Sequence, residues 1–165
     1  MMLPFANRKA EGHPVMQRTL ILLKPDCVQR RLIGTIMHRF ERKGLRLAGL
    51  KLVQASRDLA EKHYAVHKGK PFYESLLQFL TAGPTAAMVW EGREAVAVAR
   101  TLIGPTDGTK APPATIRGDF AISVQNNLVH GSDSAENAAI EIGLWFKPEE
   151  LVDYKSVDGA WVAGV

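Results

Sequence analysis

Apolar and polar positions change period several times along the chain, and each change marks an element. Residues 19–23 form an unbroken apolar run stopped by Lys24-Pro25-Asp26, which reads as a buried strand ended by proline. Over residues 28–43 the side chains Val28, Leu32, Ile33, Ile36, Met37 and Phe40 fall on one side of a helix that Gly44 ends. Residues 45–55 alternate loosely and predict a second strand. A helical segment over 59–67 is broken by Gly69-Lys70-Pro71, and 72–80 is helical again before Gly83-Pro84. Residues 86–90 predict a third strand closed by Glu91-Gly92. Residues 93–103 predict a helix with Val96, Ala99 and Ile103 on one side. Residues 104–114 carry three prolines and two glycines and read as a long functional loop, because structured segments lie close on both sides. Residues 120–124 predict a fourth strand, 149–152 a short turn, and Trp161 falls in a C-terminal tail. Four strands with helices at these positions imply an α+β sandwich built on a split βαβ sheet.

The remaining stretch is Asn127-Leu128-Val129-His130-Gly131-Ser132-Asp133-Ser134. Ala135, Ala138, Ala139, Ile142, Trp145 and Phe146 then recur at three- and four-residue intervals, an apolar stripe on a helix. Asp133 and Glu136 have the spacing of a capping box. His130 is therefore expected in a turn just ahead of a helix N-terminus, where free N–H groups favour negative charge, phosphate included. By itself such a histidine can be a nucleophile, a metal ligand, a general base or a plain turn residue.

A chain of 165 residues fits one domain. Residues 1–15 lack periodicity and an apolar h-region, so they read as a disordered tail, an upstream extension or an expression artefact rather than a secretory signal. The folded domain is expected over 16–165. No apolar run is long enough to span a bilayer. One cysteine, Cys27, excludes an internal disulfide and fits a reducing compartment, the cytoplasm. A formal charge of +4 mildly favours anionic ligands but does not by itself argue for nucleic acid.

Several familiar sites are absent: there is no P-loop, no dinucleotide fingerprint and no nucleophile elbow. His63 and His67 have a chelating spacing on a helix but no third ligand nearby in sequence, and a solvated helix face is the plainer reading. Lys24 at a strand end, Arg100 late in a helix and Arg117 before the fourth strand are each ordinary surface cations when taken singly. With His130 they form a parts list for phosphoryl transfer, in which positioning and charge neutralisation do most of the work. Phe72 can stack on a base or sit in the core, and the sequence favours the core.

Lys24-Pro25-Asp26, Gly83-Pro84, Met88-Val89-Trp90-Glu91-Gly92, Thr115-Ile116-Arg117-Gly118-Asp119-Phe120, His130-Gly131-Ser132-Asp133-Ser134 and Trp145-Phe146 occur in this order. Together they resemble the nucleoside diphosphate kinase family from about Gln17 to Trp161. The resemblance implies a ferredoxin-like α/β sandwich with a four-stranded antiparallel sheet and helices packed on it. It implies transfer of a terminal phosphate from a nucleoside triphosphate to a diphosphate, through a phosphohistidine on His130 and with Mg²⁺ carried by the nucleotide phosphates. A neutral imidazole needs no deprotonation to attack phosphorus, and covalent catalysis of this kind gives ping-pong kinetics. By resemblance Lys24, Arg100, Thr106 and Arg117 hold phosphates, Phe72 stacks on the base, Asn127 binds the sugar, and Tyr64 lies near His130 and Lys24. Glu141 is the family's partner of the second imidazole nitrogen, with Ser132 assisting. Helical geometry agrees, since Glu141 lies about 40° from Trp145, on the flank of the stripe.

The chain departs from the family pattern at Cys27, where glycine is usual, and in Thr106-Asp107-Gly108 and Pro113-Ala114. The first puts the backbone beside Lys24 in question, and the loop changes do the same for subunit assembly. A homo-hexamer is expected, with tetramer and dimer as alternatives. The rival readings are a non-catalytic regulatory member and a nucleic-acid binder. The first predicts a lost site residue, and none is missing. The second wants a dense basic stripe, which the chain lacks.

Overall fold

The computed structural model describes residues 16–162. The tail expected over 1–15 lies outside the described residues. Four strands form one sheet in the order β2-β3-β1-β4: β1 (Met16–Leu23), β2 (Arg46–Gln54), β3 (Pro84–Arg93) and β4 (Val129–Gly131). Every neighbouring pair is antiparallel, with Leu20 opposite Val89, Leu22 opposite His130 and Leu50 opposite Met88. Helices cover both faces. On one face α2 (Ile33–Arg42), α5 (Ala95–Ile103) and α6 (Ile116–Phe120) pack Ile36, Phe40, Ala99 and Ile116 against Ile21, Leu23, Met88 and Trp90. On the other, α3 (Arg57–His63), α4 (Tyr73–Thr81) and α7 (Ala135–Trp145) pack Ala60, Leu77, Ile142 and Trp145 against Leu20, Leu22, Ala87 and Val89. This explains the unbroken apolar run of β1: a strand covered on both sides has no polar face to alternate with.

Several expectations change. The helix foreseen over 28–43 is two helices, α1 (Pro25–Gln29) and α2, separated at Arg31, whose φ of 58° is left-handed. The fourth strand is not at 120–124. The chain there leaves α6 as an irregular loop with Ile122 and Val124 exposed, and the strand is β4 instead. His130 therefore lies in a strand rather than in a turn. The cap of α7 is Ser134, whose hydroxyl accepts from the Asn137 N–H at 3.0 Å, not the Asp133–Glu136 box. The C-terminal segment carrying Trp161 ends in a short helix, α8 (Gly159–Val162).

Candidate active site

β4 is three residues long and takes its rigidity from β1, the strand beside it. Two bonds pin its entry. Leu128 is held at φ 71° by its N–H donating to Asp26 Oδ2 at 3.0 Å and its carbonyl accepting from the Lys24 N–H at 2.8 Å. A left-handed leucine persists only where its surroundings over-determine it. These two bonds fix where the His130 side chain leaves the sheet.

From there His130 meets α7. Its Nε2 lies 3.0 Å from Glu141 Oε1, while the other carboxylate oxygen accepts from the Ser132 hydroxyl. Ser132 Oγ in turn accepts from the Leu20 N–H at 3.2 Å. Burial pushes the Glu141 carboxyl up, but hydrogen bonds from His130 and Ser132 more than offset that and hold it below the usual range. The carboxylate is thus ionised and committed to Nε2, so the His130 nitrogen left without this partner is Nδ1.

Two cations are buried with no carboxylate paired to them. Lys24 Nζ donates to the Gln125 carbonyl at 3.0 Å and to Asn127 Oδ1. Burial lowers its pKa to about 8, against a raising effect of Asp26. The Arg117 guanidinium donates to three carbonyls, those of Gly104, Asn127 and Val129, at 3.0, 3.3 and 2.6 Å. Burial, then the charge of Arg100, lowers its pKa to about 10, which leaves it cationic at neutral pH. Neither Lys24 nor Arg117 has an ion-pair partner among the described residues. Buried charge is costly unless compensated, so this arrangement suits an anion. Gly118 is needed beside Arg117, because a Cβ there would sit 1.9 Å from the Pro112 carbonyl oxygen.

The other named residues divide between floor and rim. Asn127 is buried: its amide donates to the carbonyls of Thr106 and Val124 at 2.9 and 2.8 Å, and Oδ1 takes the lysine. Of its hydrogen-bonding capacity only a lone pair on Oδ1 remains for a ligand. Arg100 Nη1 lies 3.5 Å from the Gly131 carbonyl, and Thr106 is exposed. Phe72 is 47% exposed, with Lys70 Nζ 5.7 Å from its ring centre. The core assignment from sequence was therefore wrong for Phe72: it precedes α4 at the mouth of a turn and presents its ring outward. Tyr64 is buried, its ring 4.8 Å from that of His63, and burial raises its phenol to about 12, so it remains a neutral donor. Cys27 is buried with its thiol pushed up to about 12 by burial, so it behaves as a small core residue rather than a reactive one.

His63 is a second residue that sequence reading misplaced. It was expected on a solvated helix face and is instead buried against His130, with ring centroids 4.5 Å apart. Ala60 three residues before it is also fully buried, and that i, i+3 pairing on one helix face was the available signal. One donor atom from each of His63, His130 and Glu141 lies within 4.8 Å of the others. Mg²⁺ is a hard ion that prefers oxygen donors, and two imidazoles with a carboxylate already bonded to one of them do not fit it.

A family model described as nucleoside diphosphate kinase matches residues 17–151. The chain belongs to the nucleoside diphosphate kinase family. It is accordingly an enzyme, a transferase of the nucleotide kinase class. The nucleoside diphosphate kinase of Carboxydothermus hydrogenoformans is 56% identical over 147 residues, 89% of this chain and 99% of that protein. That of Thermosynechococcus vestitus is also 56% identical, covering 89% of this chain and 98% of its own. Among solved structures, the halophilic nucleoside diphosphate kinase of Halobacterium salinarum in complex with CDP superposes with a TM-score of 0.87 at 46% identity, over 91% of this chain and 99% of that one. The ferredoxin-like fold of the family is the fold described above. A non-catalytic role is not favoured. No described helix is long and apolar enough to cross a membrane.

Proposed function

We propose that His130 carries the phosphoryl group on Nδ1 and passes it between nucleotides. The observation that carries the reading is the Glu141 contact at 3.0 Å, which occupies Nε2 and leaves the other nitrogen to react. In the first half-reaction the Nδ1 lone pair forms a bond to the γ-phosphorus of a triphosphate. The bond from that phosphorus to the bridging oxygen breaks, and the nucleoside diphosphate leaves with the electron pair. The ring becomes positive, and Glu141 stabilises that charge through the proton on Nε2. The second half-reaction is the reverse with another diphosphate, so the kinetics are ping-pong.

Lys24, Arg100 and Arg117 neutralise the phosphates in this reading, and the Thr106 and Tyr64 hydroxyls donate to them. Phe72 stacks on the base without reading its edges, and Asn127 Oδ1 accepts from the sugar. Mg²⁺ enters with the nucleotide as part of the substrate, held by its phosphates. We further infer a homo-hexamer acting in the cytoplasm. β2 lies at one edge of the sheet with Leu50 and Leu52 exposed, and an open apolar edge is a natural place for a second copy to pair. A mass measurement in solution tests the assembly.

Incubation with γ-labelled ATP tests the chemistry. The protein should acquire acid-labile, base-stable label, and His130→Ala should acquire none. Turnover that survives in His130→Ala refutes the assignment.

A further inference from the structure

The reaction above leaves one buried titratable ring without a task. His63 ends α3 and meets His130 edge to face, with ring planes at 83°. Trp145 Nε1 on α7 lies 3.3 Å from His63 Nδ1. An indole nitrogen can only donate, so Nδ1 must accept, and a neutral imidazole then carries its proton on Nε2. That Nε2 is shut off from water and has no hydrogen-bond partner among the described residues. The titratable groups around the ring are His130 on β4, Glu141 on α7, and Tyr64 and His67 just after α3. Burial above all lowers the His63 pKa to about 3, so the ring is uncharged at neutral pH.

We propose that His63 is a positioning residue for the nucleophile, a role that rests on His130 being the phosphoryl carrier. With its tautomer set by Trp145, His63 has no free lone pair with which to compete with Glu141 for the His130 proton, and no hydrogen bond joins the two rings. Glu141 offers an acceptor and no donor. Between the two, the His130 proton settles on Nε2 and the lone pair stays on Nδ1. Packing works in the same direction. Exchanging the two nitrogens requires turning the His130 ring about χ2, against an aromatic neighbour 4.5 Å away. The tautomer also argues against a cation at this cluster. A metal would need a lone pair where His63 holds its proton, and the other lone pair already serves Trp145.

Long-range ¹H–¹⁵N correlation spectra of the histidine rings in the full chain, taken near neutral pH, read the tautomers directly. Both His63 and His130 should show the Nε2–H form, and either ring in the Nδ1–H form overturns the proposal. Trp145→Phe removes the donor but keeps an aromatic ring, and His63 should then become a tautomer mixture. In Trp145→Phe and in His63→Phe, kcat should fall by about tenfold, the mild end of what a misoriented reacting group costs. KM for either nucleotide should stay within about twofold, the mark of a loss confined to the chemical step. A residue that only fills the core would instead lower thermal stability and leave kcat untouched, and that result in both variants refutes the proposal. A wild-type protein that takes up no label would sink the carrier reading itself. The spectra would still decide the tautomer of His63.

Discussion

Replacing Glu141 by glutamine tests the electrostatic core of the mechanism. The change keeps an oxygen for the His130 N–H and a group for Ser132, but removes the negative charge. The carboxylate stands 3.0 Å from Nε2, with side-chain exposures of 25% for His130 and 17% for Glu141. Unit charges about 4 Å apart in a partly buried setting, with an effective dielectric of about 20, attract by roughly 4 kcal/mol. The ring is neutral before attack and gains its charge only as the phosphorus–nitrogen bond forms. With the charge half developed in the transition state, about 2 kcal/mol of stabilisation is lost, or about 30-fold in rate. The substrate complex does not feel this interaction, so KM should hold while kcat falls. Quenched-flow measurement of single-turnover phosphorylation by γ-labelled ATP reads the step directly. A rate within about threefold of wild type, or a loss expressed wholly in KM, would refute the argument that Glu141 acts on developing charge.

The Lys24 ammonium gives a pH dependence with a definite sign. Its folded pKa is lowered to about 8, chiefly by burial, so raising the pH through that value removes a positive charge from the phosphate site. kcat/KM should fall as pH rises above about 8, and Lys24→Met should be low throughout and lack this limb; a profile flat to pH 10 would count against the assignment. Phe72→Ala removes an exposed ring, so thermal stability should barely move. Base–aromatic stacking contributes about 1–3 kcal/mol, so KM for nucleotides should rise roughly 5- to 150-fold, and an unchanged KM would show that the ring does not face the base.

Three of the four strands were legible because their signals are local. β1 and β3 announce themselves as apolar runs, and α5 and α7 as stripes. The errors fall where tertiary contacts overrule local pattern. Phe120 to Val124 looks like a strand on composition, yet Ile122 and Val124 face water, while the true fourth strand is too short for any periodicity. The break at Arg31 carries no glycine or proline to reveal it. The site residues were named through the family motifs, and the composition of the chain alone would not have grouped them. Phe72 and His63 went opposite ways for one reason: an aromatic at a helix entrance and a histidine at a helix end have burials set by which helices pack beside them. For His63 that neighbour is α7, more than seventy residues away.

The shortness of β4 has a consequence for how this protein can change. The histidine borrows its stiffness from the central strand, whose residues from Thr19 onward are sealed from solvent. In the proposed reading the groups that meet the base and one of the phosphates, Phe72 and Thr106, stand at a helix entrance and on a loop. Anchor and periphery are therefore mechanically separate. Drift at the periphery can retune which nucleotide is welcomed without disturbing the bond-making atom, whereas a change in the central strand threatens fold and chemistry at once.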